Sequence, residues 1–254
     1  MIVDTHLHCY RNFSGELFAR YFLNNLGGSN KIAGVFTKNL AASIQDDHNQ
    51  VIEFFAQDKN YQIQSFNGGV FCANFVDKRE IYFYFGMQLQ SAEKLEALVF
   101  TPNFKNLPTG LSFLEMVARA LDQVPLLALP WSFGKWFGSR GKLILEALNK
   151  HGVNRILFVD HPSRFEIFLR CPVFSLAQES GVRIIAGSDP LPFSGEEKRV
   201  GSFGSKITFN KVISERQPFQ ELLSFPDITF EVVGKRLGLF QTLRSQCRLR
   251  LNLS

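Results

Sequence analysis

Hydrophobic positions along this chain recur with two spacings, every second residue and every third or fourth, and their order predicts alternating strands and helices. Residues 1–9, Met-Ile-Val-Asp-Thr-His-Leu-His-Cys, predict a strand at the outset. Side chains on a strand alternate faces, so Asp4, His6 and His8 are expected on one face and Val3, Thr5 and Leu7 on the other. Ser14 is placed to cap a helix through Leu17, Phe18, Tyr21 and Phe22, which Gly27 and Gly28 end. A short strand over 32–36 and a helix over 47–57 follow, the latter capped by Asp46 and Asp47 with His48 facing solvent. The spacing then turns to aromatic-rich alternation. Residues 61–66, 70–75 and 81–85 predict strands of a hairpin or meander, parted by Asn67-Gly68-Gly69 and by Asp77-Lys78-Arg79-Glu80.

From Leu111 the pattern is helix then strand: helices over 112–121 and 142–150, strands over 126–129 and 155–159, and a further helix before a strand over 182–186. Repeated βα units with polar residues just past the strands imply a parallel sheet, closed or nearly closed, with its site at the strand C-termini. The expected fold is α/β, a distorted TIM-like (β/α)7-type barrel in one domain over 1–254, with the segment around 61–100 as an elaboration.

Composition narrows the function classes only a little. A formal charge of +5 favours a small anionic substrate, and without a concentrated patch it argues against nucleic acid. Arg244 to Arg250 are expected on a solvated helix face. Cys9, Cys72, Cys171 and Cys247 form no Cys-x-x-Cys pair, which gives neither a zinc module nor a disulfide framework and suits a cytoplasmic protein. No signal-like or membrane-spanning apolar run is present in the sequence. Oligomeric state is not encoded in any of these features.

The chemistry begins at Asp4-Thr5-His6-Leu7-His8. Two imidazoles on one strand face suit Zn²⁺, Mn²⁺ or Fe²⁺, and Asp4 can join them or orient them. Asp189, emerging after the strand over 182–186 in Gly187-Ser188-Asp189, is the natural partner if first and last barrel strands meet, as a ligand or as a group handling the proton of a metal-activated water. Asp160 and His161 also follow a predicted strand, Asp160 as a catalytic and His161 as a metal-binding candidate. Lys135, Arg140 and Arg164 are the candidates for holding an anionic group. The loop over 129–142 is not a phosphate-binding Walker loop, because Trp136 and Leu143 stand where that motif needs Gly and Ser or Thr.

These motifs resemble the polymerase and histidinol phosphatase (PHP) superfamily of metal-dependent phosphoesterases, in its divergent PHP-like branch. The resemblance rests on Asp4-Thr5-His6-Leu7-His8, on Gly86-Met87-Gln88-Leu89 with Glu96-Ala97-Leu98, and on Gly187-Ser188-Asp189. It implies that His6 and His8 are ligands, that a middle Gly-x-Glu strand supplies a bridging carboxylate and that a late Asp completes the site. Gln88 stands where that glutamate usually stands and Ala97 where a histidine often follows, which leaves Glu96 to compensate if it faces inward. With five histidines in the chain, one or two ions are expected rather than three. The expectation is a metal-dependent phosphoesterase. The alternatives are an amidohydrolase-superfamily enzyme acting on a C–N or carboxylic substrate, and a metal-binding protein without catalysis.

Overall fold

In the computed structural model, which describes residues 1–39, 47–132, 134–164, 171–210 and 212–252, the described strands join one 11-stranded sheet. They are β1 (Ile2–Leu7), β2 (Lys31–Asn39), β3 (Tyr61–Phe66), β4 (Gly69–Asn74), β5 (Glu80–Gln90), β6 (Glu96–Val99), β7 (Leu127–Pro130), β8 (Ile156–Asp160), β9 (Ile184–Ala186), β10 (Phe203–Phe209) and β11 (Ile228–Gly234). Their order is β11-β10-β1-β2-β5-β6-β7-β8-β9, with β3 and β4 carried on β5 as an antiparallel meander. Strands β1, β2 and β5 run parallel, as do β7, β8 and β9, while β6 runs against both β5 and β7.

The sheet curls into a nearly closed barrel. Val3, Tyr84, Leu98, Ala128, Leu157 and Ile185, drawn from strands around the whole sheet, share one buried cluster with Phe219 and Leu222 of the short helix α6 (Phe219–Leu223). Side chains of so many strands meet only on a concave face, and α6 fills its interior. The convex face is covered twice. Helices α1 (Gly15–Asn25) and α2 (Asn49–Gln57) bury Phe18, Phe22 and Phe55 against β1, β2 and β5. Helices α3 (Phe113–Leu121), α4 (Gly138–His151) and α5 (Pro172–Glu179) bury Val117, Ile144 and Phe174 against β6, β7 and β8.

Local signals place several of these ends. Ser14 accepts from Leu17 N at the start of α1, and Ser112 with Glu115 forms a reciprocal capping box at α3. The expected barrel is therefore present, with three differences. Strand β6 is only four residues long, too short for a periodicity to announce it. Strands β10 and β11 follow β9, so the strand carrying Asp189 is not the last one, and β10 pairs with β1. His48 is only part-exposed, its ring lying 4.4 Å from that of Phe85, while Asp46 lies outside the described residues.

The seam between β9 and the paired strands β1 and β10 is closed without a ladder. Thr5 Oγ1 donates to Ala186 O, Ala186 N donates to Ser205 Oγ, and Asp189 N donates to His6 O. Gly187 permits this approach, since a Cβ there would lie 2.5 Å from both the backbone N and the Cβ of His6. Among the described residues no helix is long and apolar enough to cross a membrane. A final helix, α7 (Leu239–Asn252), follows β11.

Candidate metal centre at the barrel mouth

The C-terminal ends of β1, β5, β8 and β9 gather the chemically active side chains. Strict alternation along β1 fails, because its pairing with β2 shifts between Asp4 and Leu7. Val3 accordingly packs inside the barrel and Leu7 outside, against Phe18 and Phe22. His6 and His8 are both buried, with their Nε2 atoms 3.1 Å apart. Gln88, near the end of β5, places Oε1 2.9 Å from His6 Nε2 and 3.1 Å from His8 Nε2. Gly86, two residues earlier, lets β6 lie close, since a Cβ there would meet Val99 O at 2.3 Å.

Asp189 completes the group. Its backbone is left-handed, with φ of 43°, a conformation that aspartate tolerates better than most residues and that its N–H bond to His6 O holds in place. One carboxylate oxygen lies 3.8 Å from His6 Nε2 and 3.7 Å from His8 Nε2, and ligand atoms of the three residues all fall within 4.8 Å of one another. The Asp189 side chain is 25% exposed, so the cluster opens to solvent on its side.

Asp4 does not join this cluster. Its fully buried carboxylate accepts from Ser188 N, Ser188 Oγ, Gly201 N and His6 N, and so ties β1 to the loop that carries Asp189. Burial pushes its carboxyl up to about 7, against those four donors. Asp4→Asn replaces an acceptor with an amide donor facing a backbone N–H. The orphaned group should cost about 1–3 kcal/mol. At roughly 2–4 °C per kcal/mol for a chain of this size, thermal denaturation should show a clearly lower Tm. Metal titration of the same variant should show weaker binding through the loosened Asp189 loop. An unchanged Tm would show that Asp4 is not what anchors the loop.

Ionisation suits a cation. Burial lowers the His6 pKa, which leaves a neutral ring with a lone pair to offer. Burial alone would raise the Asp189 pKa, but His6, a hydrogen bond from His161 and the other imidazoles hold its carboxyl far below the ordinary range. His161 meets Asp189 Oδ2 through Nε2 at 3.4 Å. Its other nitrogen accepts from Ser163 N at 3.0 Å, which assigns the hydrogen of the neutral ring to Nε2. In that tautomer His161 presents Asp189 with a donor and not with a lone pair. Trp131 stacks on the His161 ring and Tyr10 on that of His8, fixing both orientations.

The other expected residues lie apart from this cluster. Glu96 bonds Lys135 Nζ at 2.8 Å and Ser132 Oγ at 3.0 Å, so the two residues expected to serve metal and anion neutralise each other. Arg140 donates to Gly134 O. Asp160 receives both Arg164 and Arg236, each through two nitrogens, together with His161 N. Burial opposes its ionisation, but the two guanidinium groups reverse that and lower its pKa. Arg164 is itself buried, with its guanidinium 4.0 Å above the Phe174 ring. Sequence reasoning missed Arg236, Ser163 and Tyr10. Only Tyr10, two residues past His8, carried a local signal.

No protein-family model matches the chain, nor does any curated protein. Solved structures do. PsfC from Pseudomonas syringae PB-5123 superposes with a TM-score of 0.60 at 12% identity, over 100% of this chain and 98% of that one. The lesion-specific endonuclease PfuEndoQ from Pyrococcus furiosus gives a TM-score of 0.51 at 13% identity, over 92% of this chain and 59% of its own length. At such identities the likeness is one of fold, and it agrees with the barrel. With an endonuclease among these structures, the expectation against nucleic acid gains no support.

Proposed function

We propose that this chain is a metal-dependent phosphoesterase in which His6, His8 and Asp189 hold a divalent cation. The observation that carries this reading is the convergence of two imidazole nitrogens and a carboxylate within 4.8 Å at the mouth of the barrel. The donor set fits such an ion. Buried histidine nitrogens 3.1 Å apart, facing one amide oxygen, are arranged for a shared electrophile, and nitrogen with carboxylate ligands suits Zn²⁺, Mn²⁺ or Fe²⁺. An ion held by these residues would supply an acidified water and offset charge on a phosphoryl oxygen.

The chain's own residues set the substrate class. Gln88 is neutral, so a divalent ion held here would be offset by a single carboxylate, and the net positive charge left would attract an anion. Gln88 also has an amide N–H₂ able to donate to a phosphoryl oxygen. His161 holds the second oxygen of Asp189 through its Nε2–H, and Asp160 positions the loop of His161 through Arg164 and Arg236. Lys135 and Arg140 remain candidates for outer contacts to an anionic substrate. The endonuclease among the similar folds brings phosphodiesters, nucleic acid included, into the class to be tested beside small phosphate monoesters. Four free cysteines support a cytoplasmic setting.

The test is turnover of an aryl phosphate and an aryl phosphodiester by metal-loaded protein, with inorganic phosphate as inhibitor. Hydrolysis of either ester and competitive inhibition at about millimolar phosphate are expected for a cationic pocket with charge-assisted contacts. Hydrolysis of amides or lactones with indifference to phosphate would replace this reading with the amidohydrolase one. Metal-loaded, folded protein that turns over none of these would leave a binding protein.

A further inference from the structure

Helix α7 turns apolar side chains outward. A surface helix ordinarily buries its apolar stripe and shows water its polar one. Here Thr242 is fully buried and Ser245 half-buried, whereas Phe240 is 87% exposed and Leu239 and Leu243 are 42% and 43% exposed. At about 100° per residue, Leu239, Phe240, Leu243 and the exposed Cys247 fall on one side, opposite Thr242 and Ser245. Arg244 borders that apolar side. The charge is equally uneven. Residues 232–254 contain Lys235, Arg236, Arg244, Arg248 and Arg250 and no Asp or Glu, so the entire formal charge of +5 resides there and the preceding chain is neutral.

We propose that the outward face of α7 docks on the surface of an anionic lipid bilayer, lying in the interfacial plane. Such a surface takes both features at once: acyl chains and glycerol backbones accept the apolar stripe, and anionic headgroups accept Arg244 beside it. A second copy of the chain is a poorer occupant, because a twofold contact would set arginines against arginines. A nucleic acid would engage the arginines and leave Leu239, Phe240 and Leu243 in water. The helix is fixed to the body in the orientation this requires. Arg236 donates to His161 O and Arg164 O, Leu237 N donates to Pro162 O, and the Arg248 guanidinium lies 4.5 Å above the Phe193 ring. These contacts set α7 beside the two loops that carry His161 and Asp189. The proposal stands independently of the chemistry at the metal centre.

Flotation of the whole chain with vesicles tests it, using phosphatidylcholine alone and phosphatidylcholine mixed with phosphatidylglycerol. Binding to the mixed vesicles that weakens with added salt is expected, with little binding to the neutral ones. Arg244→Glu should weaken it about 30-fold, from the roughly fivefold that each unit of charge contributes near an anionic leaflet. A Phe240→Gln, Leu243→Gln double variant should weaken it more than about tenfold through lost apolar burial. Both positions are exposed, so melting temperatures should match the parent and exclude misfolding as the cause. No binding to mixed vesicles, or binding that neither variant alters, would overturn the proposal. Salt-dependent binding to an oligonucleotide without binding to vesicles would overturn it in favour of nucleic acid.

Discussion

Protein purified without chelator and carrying both His6→Ala and His8→Ala is expected to hold no divalent metal, where the parent retains a single ion. Outer partners of metal ligands are each worth about 10–100-fold in affinity, and loss of a direct ligand exceeds that. Two of the three proposed ligands are removed here, and Asp189 alone is expected to retain no ion through gel filtration. Elemental analysis beside the parent measures the outcome, and circular dichroism confirms that the barrel persists. Both rings are buried, so some loss of stability accompanies the change. Asp189→Asn is the companion variant, because its side chain is partly exposed and the substitution removes the negative charge with almost no change in shape. Full metal retention by the double variant would falsify the ligand assignment.

Gln88→Glu should move the same property in the other direction. Gln88 Oε1 sits within 3.1 Å of both histidine nitrogens, so the substitution places a formal charge at the centre of the cluster with almost no change in shape. Two unit charges about 4 Å apart interact by about 4 kcal/mol at an intermediate effective dielectric. Desolvation and repulsion from Asp189 offset part of this, leaving metal binding about 100-fold tighter and a second ion held through dialysis. The apo protein should respond oppositely, since two carboxylates would then share one partly buried site without a cation between them. The expected signature is a lower Tm than the parent's in chelator and a higher one in metal. A variant whose Tm and metal content do not depend on metal in this crossed way would show that Gln88 does not face the ion.

The placement of Gln88 illustrates the limit of a motif. Glycine, one intervening residue and then a polar residue at a strand end are visible in the sequence, and so is the missing charge. That the amide oxygen lies against both histidines depends on β2 standing between β1 and β5, a fact of sheet order. Asp160 shows the converse. Its position after a strand marks it as an active-site residue, yet Arg236, far along the chain, reaches it and joins Arg164 in occupying both of its oxygens. Glu96 and Lys135 were legible as single charges but not as a pair.

The sequence by itself determined what short-range physics encodes. The period of the apolar residues set most strands and helices, Ser14 and Ser112 set helix starts, and the His6–His8 spacing put two imidazoles at one strand end. The order of β and α segments implied a barrel whose mouth would collect Asp189. Tertiary structure decided the rest. The shift in β1 pairing turned Asp4 away from the histidines, β10 came to lie beside β1, and the exposed stripe of α7 arose because the body packs against Thr242 and Ser245. Each of these depends on which distant segment fills a given space. Local periodicity carries no record of that choice, because the same strand or helix pattern is satisfied by any neighbour of suitable shape and polarity.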